Sequence, residues 1–382
     1  MPYRFLRLIL AVIVLVAGAT AVSPAAAQDL TPYWPTDQWR TSVPEEQGID
    51  SGKLADMLAT IREQELAIDS VLVTRHGYIV VEVYLPPNDP DDVHQLYSCT
   101  KSVTSALIGI AIGEGDLEGV AQPVLDFYPD RTIKNLDANK QALTLESLLT
   151  MNAGLDWRDE NMSLTYQMAT RRDWVQFVLD RPMVAAPGTT FVYNNGLPHI
   201  LSAILEQVTG LRTVDFAQQK LFDPLGIAPD AYRWETDPLG ITIGSWGLWM
   251  NSRDMAKFGY LFLNNGQWDG QQVVPADWVD LSTQSHITVD DQGHGYGYLW
   301  WVYPDQGYYA AQGLAGQYIF VVPSAAMLVV FTSNLQGDSA GRPIALLDEY
   351  ILPAAQSIEP LPANPEALAR LTGEIEALGG SQ

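Results

Sequence analysis

Between Ser98 and Gly115 the chain reads SCTKSVTSALIGIAIGEG, small hydroxyl residues followed by apolar residues around the whole helical wheel. A helix with no polar face must be enclosed by protein. This segment therefore demands neighbours on all sides, and the remaining chain has to supply them. It can do so: 382 residues, 47% of them hydrophobic, are enough for one or two domains with a full core and no covalent staples. Cys99 is the only cysteine, which excludes a disulfide within the chain.

The enclosing elements are written at both ends of the chain. Leu54, Met57, Leu58 and Ile61 recur at helical spacing behind Asp50 and Ser51, so a helix is expected over residues 50–65. Ser70–Val73 and Tyr78–Tyr84 flank His76-Gly77 as a β-hairpin, after which Pro86 to Pro90 breaks the sheet. Helical periodicity then dominates, at 98–113, 145–151, 172–179 and 197–209. Strands return at Tyr296–Tyr303, Tyr308–Ala311, Tyr318–Pro323 and Met327–Thr332, with a helix near 342–350. Two sheet-forming ends around a helical middle predict an α/β fold of α+β type: one antiparallel sheet assembled from both ends, helices on its faces, and an inserted mainly helical domain. The expected boundaries are a sheet domain from 48–97 and 236–355, a helical domain over 98–235, a leader at 28–47 and a tail at 356–382. The tail carries a short helical pattern at Glu366 to Leu378, to which no function is assigned.

Residues 1–27 have the form of an export signal. Arg4 and Arg7 precede an apolar run from Leu8, and small residues end at Ala25-Ala26-Ala27. Cleavage after Ala27 would place the protein in the periplasm or outside the cell, without stable membrane insertion. An uncleaved anchor is the alternative, although the apolar run is shorter than the roughly 20 residues a spanning helix needs. With 21 Lys+Arg against 45 Asp+Glu, the net charge of −24 argues against nucleic acid or an anionic membrane as partner and says nothing about a substrate. Nothing in the chain fixes an oligomeric state.

Three short strings could carry chemistry. Ser98 and Lys101 are three residues apart, about 60° around the start of the enclosed helix, so the amine can reach the hydroxyl. Serine is a weak nucleophile until a base takes its proton, and burial near a helix N-terminus favours a neutral lysine. This is the only S-x-x-K in the chain; a capping serine beside an unrelated lysine is the other reading. Tyr193 and Asn195 offer a phenol and an amide on one side of an extended turn, or simply a turn. In Ala310 to Pro323, Gly313 and Gly316 permit close backbone approach where N–H groups could meet an oxyanion, or form an ordinary β-turn. No serine has the G-x-S-x-G setting of an α/β-hydrolase nucleophile, and the five histidines form no metal-ligand spacing. No metal or cofactor is called for. His199 is read as a core residue and Cys99 as buried structure, and Trp246, Trp249, Trp300 and Trp301 as core in preference to an acyl pocket.

In this order the strings resemble the serine β-lactamase-like family, which includes class C β-lactamases, D-alanyl-D-alanine carboxypeptidases, family VIII-type esterases and 6-aminohexanoate-dimer hydrolases. The resemblance runs from about Gly48 to Leu335 and includes LLTMNAGLDW (148–157) and GSWGLWMNSRDMAKFGYLFLNNGQW (244–268). S-C-T-K-S and G-x-x-G-Q-Y look most like the 6-aminohexanoate-dimer-hydrolase-like members. The resemblance implies a β-lactamase/transpeptidase-like fold, Ser98 as acyl-forming nucleophile, Lys101 as its activating partner and Tyr193 as shared acid and base. It further implies Asn195 as a substrate-carbonyl contact and the backbone N–H groups of Ser98 and Leu314 as the oxyanion hole. One departure stands out: Ala311-Gln312-Gly313 occupies the place of the usual Lys-Thr-Gly or His-Thr-Gly. Neutral Gln312 remains beside Gly313 where a cation would help bind a substrate carboxylate.

The expected function is an exported serine hydrolase that cleaves a small-molecule ester or amide through a Ser98 acyl-enzyme. The alternatives are a β-lactamase or D-Ala-D-Ala carboxypeptidase and, from another class, a non-catalytic penicillin-binding-like ligand-binding protein.

Overall fold

The computed structural model describes residues 33–159 and 162–379; the export signal expected over 1–27 lies outside them. Among the described residues nine strands form the main sheet. Three come from the N-terminal part: β1 (Arg40–Thr41), β2 (Ile68–Arg75) and β3 (Tyr78–Tyr84). A separate three-stranded sheet is made by β4 (His94–Gln95), β5 (Arg233–Trp234) and β6 (Leu248–Met250). The other six strands of the main sheet are β7 (Ile287–Thr288), β8 (Gly295–Tyr296), β9 (Trp301–Tyr303), β10 (Tyr308–Gly313), β11 (Gln317–Val322) and β12 (Met327–Ser333).

Their spatial order is β1-β3-β2-β12-β11-β10-β9-β8-β7. The two ends of the chain meet at β2 and β12, which pair antiparallel with Leu72 opposite Val330 and Val73 opposite Val329. The sheet assembled from both ends is thus the one the sequence pattern predicts. β1 departs from it by pairing parallel with β3. The β2–β3 hairpin turns at His76 and Gly77, both with positive φ (51° and 80°), the geometry that matches strand twist in a two-residue turn.

Period-two alternation sends side chains to two cores. Leu72, Ile319, Val321, Leu328 and Val330 face one core, and Val71, Val73, Phe320, Val329 and Phe331 face the other. The second face is covered by α1 (Ser51–Glu63), which Asp50 caps by accepting the Gly52 N–H. The first face carries the enclosed helix, α2 (Thr100–Glu114), followed by α3 (Leu145–Leu149), α4 (Ser163–Ala169), α5 (Trp174–Leu179) and α6 (Gly196–Thr209). Against β11 and β12 lies α7 (Ser252–Leu263), where a Cβ on Gly259 would sit 2.3 Å from Leu328 Cδ1.

One expectation needs correction. Tyr296–Tyr303 is not one buried strand. The chain reverses between β8 and β9, with Leu299 at φ 63° and Tyr296 paired to Trp301, so uniform apolarity there reflects a buried turn and not a two-faced strand. The tail forms a helix where its pattern puts one, and the structure adds what that helix packs on. This helix, α8 (Pro365–Ala377), is capped by Asn364 with Pro365 in its first turn, and packs on α1 with Leu371 and Ile375 buried.

Leu371→Ala is expected to cost about 2–5 kcal/mol of stability. A shift of the denaturant midpoint at constant m-value would register it; a midpoint unchanged from wild type would mean that α8 contributes nothing to the core.

Candidate active site

A single helical turn, Tyr97–Cys99, leads into α2 and places Ser98 at its mouth. Tyr97 has φ 45°, a left-handed conformation that costs a non-glycine residue on the order of 1 kcal/mol. Contacts on either side hold it there. The Leu96 N–H donates to Leu248 O at 2.9 Å, and a Cβ on Gly313 would lie 2.2 Å from Leu96 O, so only glycine lets β10 come this close to the turn that carries Ser98. Cys99 is fully buried and donates to Gln317 O at 3.4 Å; burial pushes its thiol well above the ordinary range.

Lys101 is 1% exposed. Its Nζ lies 2.9 Å from Ser98 Oγ, 2.8 Å from Asn195 Oδ1 and 2.8 Å from Ser245 O. No carboxylate offsets the loss of water, and desolvation lowers its pKa to about 7. The charged amine donates to all three oxygens. A neutral amine has two N–H groups and one lone pair, whereas the Asn195 and Ser245 carbonyls can only accept. Deprotonation therefore leaves the lone pair facing Ser98, whose hydroxyl becomes the donor.

Two further hydroxyl residues of α2 hold the walls of the site. Thr104 Oγ1 donates to Gly244 O and Ser102 Oγ to Leu299 O, both at 2.8 Å. The loop carrying Ser245 is also stitched to α6. Ser245 Oγ donates to Asn195 O, and a Cβ on Gly244 would come within 2.1 Å of Pro198 O. Asp237, at the start of this loop, meets His199 Nε2 of α6 at 3.2 Å with both side chains wholly buried. Burial works against the Asp237 carboxylate, yet His199 and the Ile241 and Leu239 N–H groups hold it below its usual range. His199 is a core residue, as its apolar surroundings imply.

Tyr193 lies across the mouth, with Lys101 Nζ 4.9 Å from its ring centroid and Trp301 stacked at 5.9 Å. Burial raises its phenol well above 10, and a hydrogen bond with Ser98 offsets only part of this, so the Tyr193 phenol is neutral. Asn195, the residue before α6, is 8% exposed. Its Oδ1 accepts from Lys101 and its Nδ2 donates to Thr165 Oγ1 at 2.9 Å. Each end of the amide thus has one protein partner, and Asn195 also lines the cleft where the resemblance implies a substrate carbonyl.

Ser98, Tyr193, Asn195, Gln312, Gly313 and Leu314 line one cleft of about 520 Å³; Lys101 sits behind its wall. Trp157, Met162, Val192, Trp301 and Tyr318 give it an apolar and aromatic lining, and Asp159 is its one charged described residue. Gln312 donates to Tyr303 OH, and Leu314 is 53% exposed at the lip. Ala311 is 1% exposed within the sheet, so no cation takes that place. The tryptophans divide: Trp300 is fully buried and stacks on Phe258, whereas Trp301 faces the cleft and corrects the reading of it as core. Among the described residues no group of three His, Cys, Asp or Glu is arranged to hold a metal ion.

Sequence reasoning missed Ser245, Thr165 and Asp159. Ser245 acts through its carbonyl, which has no side-chain signature, and lies in the GSWG string that carried only a family likeness. Thr165 lies on α4, a seven-residue helix too short for a periodic signal, and Asp159 lies in the loop that precedes it.

A large sheet flanked by helices, with a serine and a desolvated lysine at the mouth of the central helix, is the architecture of a β-lactamase-like serine hydrolase. The chain belongs to the Beta-lactamase family, whose model matches residues 54–350. It is 27% identical over 293 residues to the 6-aminohexanoate-dimer hydrolase of Paenarthrobacter ureafaciens, covering 72% of this chain and 74% of that one. Among solved structures, an octameric penicillin-binding protein homologue from Pyrococcus abyssi superposes with a TM-score of 0.65 at 23% identity, over 82% of this chain and 80% of that one. A family VIII carboxylesterase superposes with a TM-score of 0.64 at 16% identity, over 82% and 99%. These two likenesses establish the fold.

The neutral form of Lys101 accumulates as pH rises through about 7. The rate of covalent labelling of Ser98 by a fluorophosphonate is therefore expected to rise with pH, with a midpoint near 7, and then to level off. Lys101→Ala should slow labelling by a factor on the order of 10² to 10⁴. A rate that is flat from pH 5 to 9 would contradict this assignment of the base.

Proposed function

We propose that the protein hydrolyses a neutral small-molecule ester or amide through an acyl-enzyme on Ser98. The single observation that carries the reading is the buried Lys101 Nζ, 2.9 Å from Ser98 Oγ, with its two remaining contacts made by oxygens that can only accept. In acylation Lys101 takes the Ser98 proton while Oγ bonds to the substrate carbonyl carbon. The oxyanion so formed meets the backbone N–H groups of Ser98 and Leu314. As the tetrahedral species collapses, the bond to the leaving alcohol or amine breaks and Tyr193 delivers a proton to it, replenished from Lys101. Water then attacks the ester with the same groups acting in reverse, and Ser98 regains its hydrogen.

The substrate class follows from the charge of the cleft. None of its described lining residues is Lys, Arg or His, and Asp159 adds a negative charge. A substrate carboxylate would find no charge-assisted partner there, which disfavours β-lactams and D-alanyl peptides. The relationship to a protein named 6-aminohexanoate-dimer hydrolase supports hydrolysis as the reaction type. The sheet region (48–97 and 236–355) and the helical region (98–235) each supply one wall in this reading. Export belongs to it through the pattern of residues 1–27, and among the described residues no helix is long and apolar enough to cross a membrane.

Intact-mass analysis after fluorophosphonate treatment should give one adduct on wild type and none on Ser98→Ala. Retained ester hydrolysis by Ser98→Ala would sink the proposal. Uncharged p-nitrophenyl esters of short acids should have a kcat/KM on the order of ten- to a hundredfold above the same esters bearing a carboxylate on the acyl chain. Easy turnover of a chromogenic cephalosporin would instead favour the β-lactamase reading.

A further inference from the structure

The lone pair of Lys101 points at Ser98 only if the oxygen of the Asn195 amide, and not its nitrogen, faces Lys101. Asn195 does not fix this by itself, because a half-turn of the amide exchanges the two atoms at almost no steric cost. Something must break that symmetry. Asn195 Nδ2 donates to Thr165 Oγ1 at 2.9 Å, and the Thr165 hydroxyl donates to Asp159 Oδ2.

We infer that Asp159 and Thr165 are positioning residues that set the direction of the hydrogen-bond chain ending at the nucleophile. An ionised carboxylate can only accept, so Thr165 spends its single proton on Asp159. The Thr165 oxygen must then accept from Asn195 Nδ2, which turns Oδ1 towards Lys101. With Oδ1 and Ser245 O taking the two N–H groups of the neutral amine, the lone pair is left for the Ser98 proton. Orientation is thus dictated from the far end of the chain by the one atom that has no choice.

Asp159 is itself held in place. Its Oδ1 accepts the Leu164 N–H at 2.8 Å and the Thr165 N–H at 3.1 Å, and its Oδ2 accepts Trp157 Nε1 at 3.2 Å. Four donors converge on this carboxylate and none carries a positive charge. Thr165 is 7% exposed, so water does not readily replace its hydroxyl. The other ionisable groups beside Lys101 are the Tyr193 phenol and the Cys99 thiol, which burial keeps protonated, so neither titrates in the same window.

The inference rests on the serine-hydrolase reading, and its test separates the two. The measurement is the pH profile of fluorophosphonate labelling for full-length wild type, Thr165→Val, Thr165→Ser and Asp159→Asn. In Thr165→Val the amide is free to turn its NH₂ towards the lysine lone pair. That contact favours neutral lysine while occupying the lone pair. The plateau rate is expected to fall by a factor on the order of ten to a hundred and the acid limb to move to lower pH. Thr165→Ser should restore both, and Asp159→Asn, which can donate to Thr165 and reverse the chain, should shift both in the direction of the valine variant. A merely structural defect would lower the plateau without moving the limb, and that outcome overturns the inference. So does a valine variant that matches wild type, or a serine variant as impaired as valine. A folded wild type that takes no label removes the hydrolase reading and this inference with it.

Discussion

The burial of one ammonium group governs this site. Lys101 is placed on the enclosed helix α2, 1% exposed and with no carboxylate among its hydrogen-bond partners, so proton loss near neutral pH is the cheapest way to relieve the desolvation. What distinguishes it from a lysine merely trapped in a core is that three oxygens surround Nζ, two of which can only accept. Low solvation sets when the amine is neutral, and the acceptors set where its lone pair points. In the proposed reaction both are needed before Ser98, three residues away, can act as a nucleophile. By contrast, Lys140, also buried, donates to the three carbonyls of Lys134, Leu179 and Arg181 and pins a loop to the end of α5. With no hydroxyl among its partners, it has nothing to activate.

The scaffold can be understood as the means of keeping those oxygens in place. Ser245 O belongs to a loop pressed on α6 at Gly244, tied to α2 by Thr104 and anchored by the buried pair of Asp237 with His199. Asn195 precedes the same α6, so the two acceptors move as one body. On the opposite side β10 closes on the Ser98 turn through Gly313, and the left-handed Tyr97 is held between that contact and the Leu96 hydrogen bond to β6. Strain at Tyr97 persists because its neighbours on both sides are fixed.

Much of this is legible in the order of the residues. The apolar helix, the hairpin at His76-Gly77 and the closing strands are local patterns, and each forms within a few residues of where periodicity puts it. Ser98 and Lys101 lie within one turn, so their encounter follows from helical geometry alone. The failures share a cause. At Tyr296–Tyr303 the apolar run is buried as a tight turn and not as a strand, because burial and strand geometry leave the same mark on composition. Trp301 and Trp300 are adjacent in sequence and differ only in which side of that turn they occupy, one at the cleft and one in the core.

By itself, the sequence determined that a serine and a lysine would share one face at the start of an enclosed helix, that both chain ends would build one sheet around it, and that no cation would stand in the Ala311-Gln312-Gly313 string. These are matters of spacing and residue type, which local geometry converts directly into structure. Only the tertiary structure decided which way each polar group points. The Ser245 carbonyl and the Thr165 hydroxyl come from loops and helices 144 and 64 residues beyond Lys101, and the orientation of the Asn195 amide between them depends on contacts that no spacing encodes. A hydrogen bond has a direction, and along a chain of them that direction is fixed only where a group can solely donate or solely accept; finding such groups at both ends requires the folded protein.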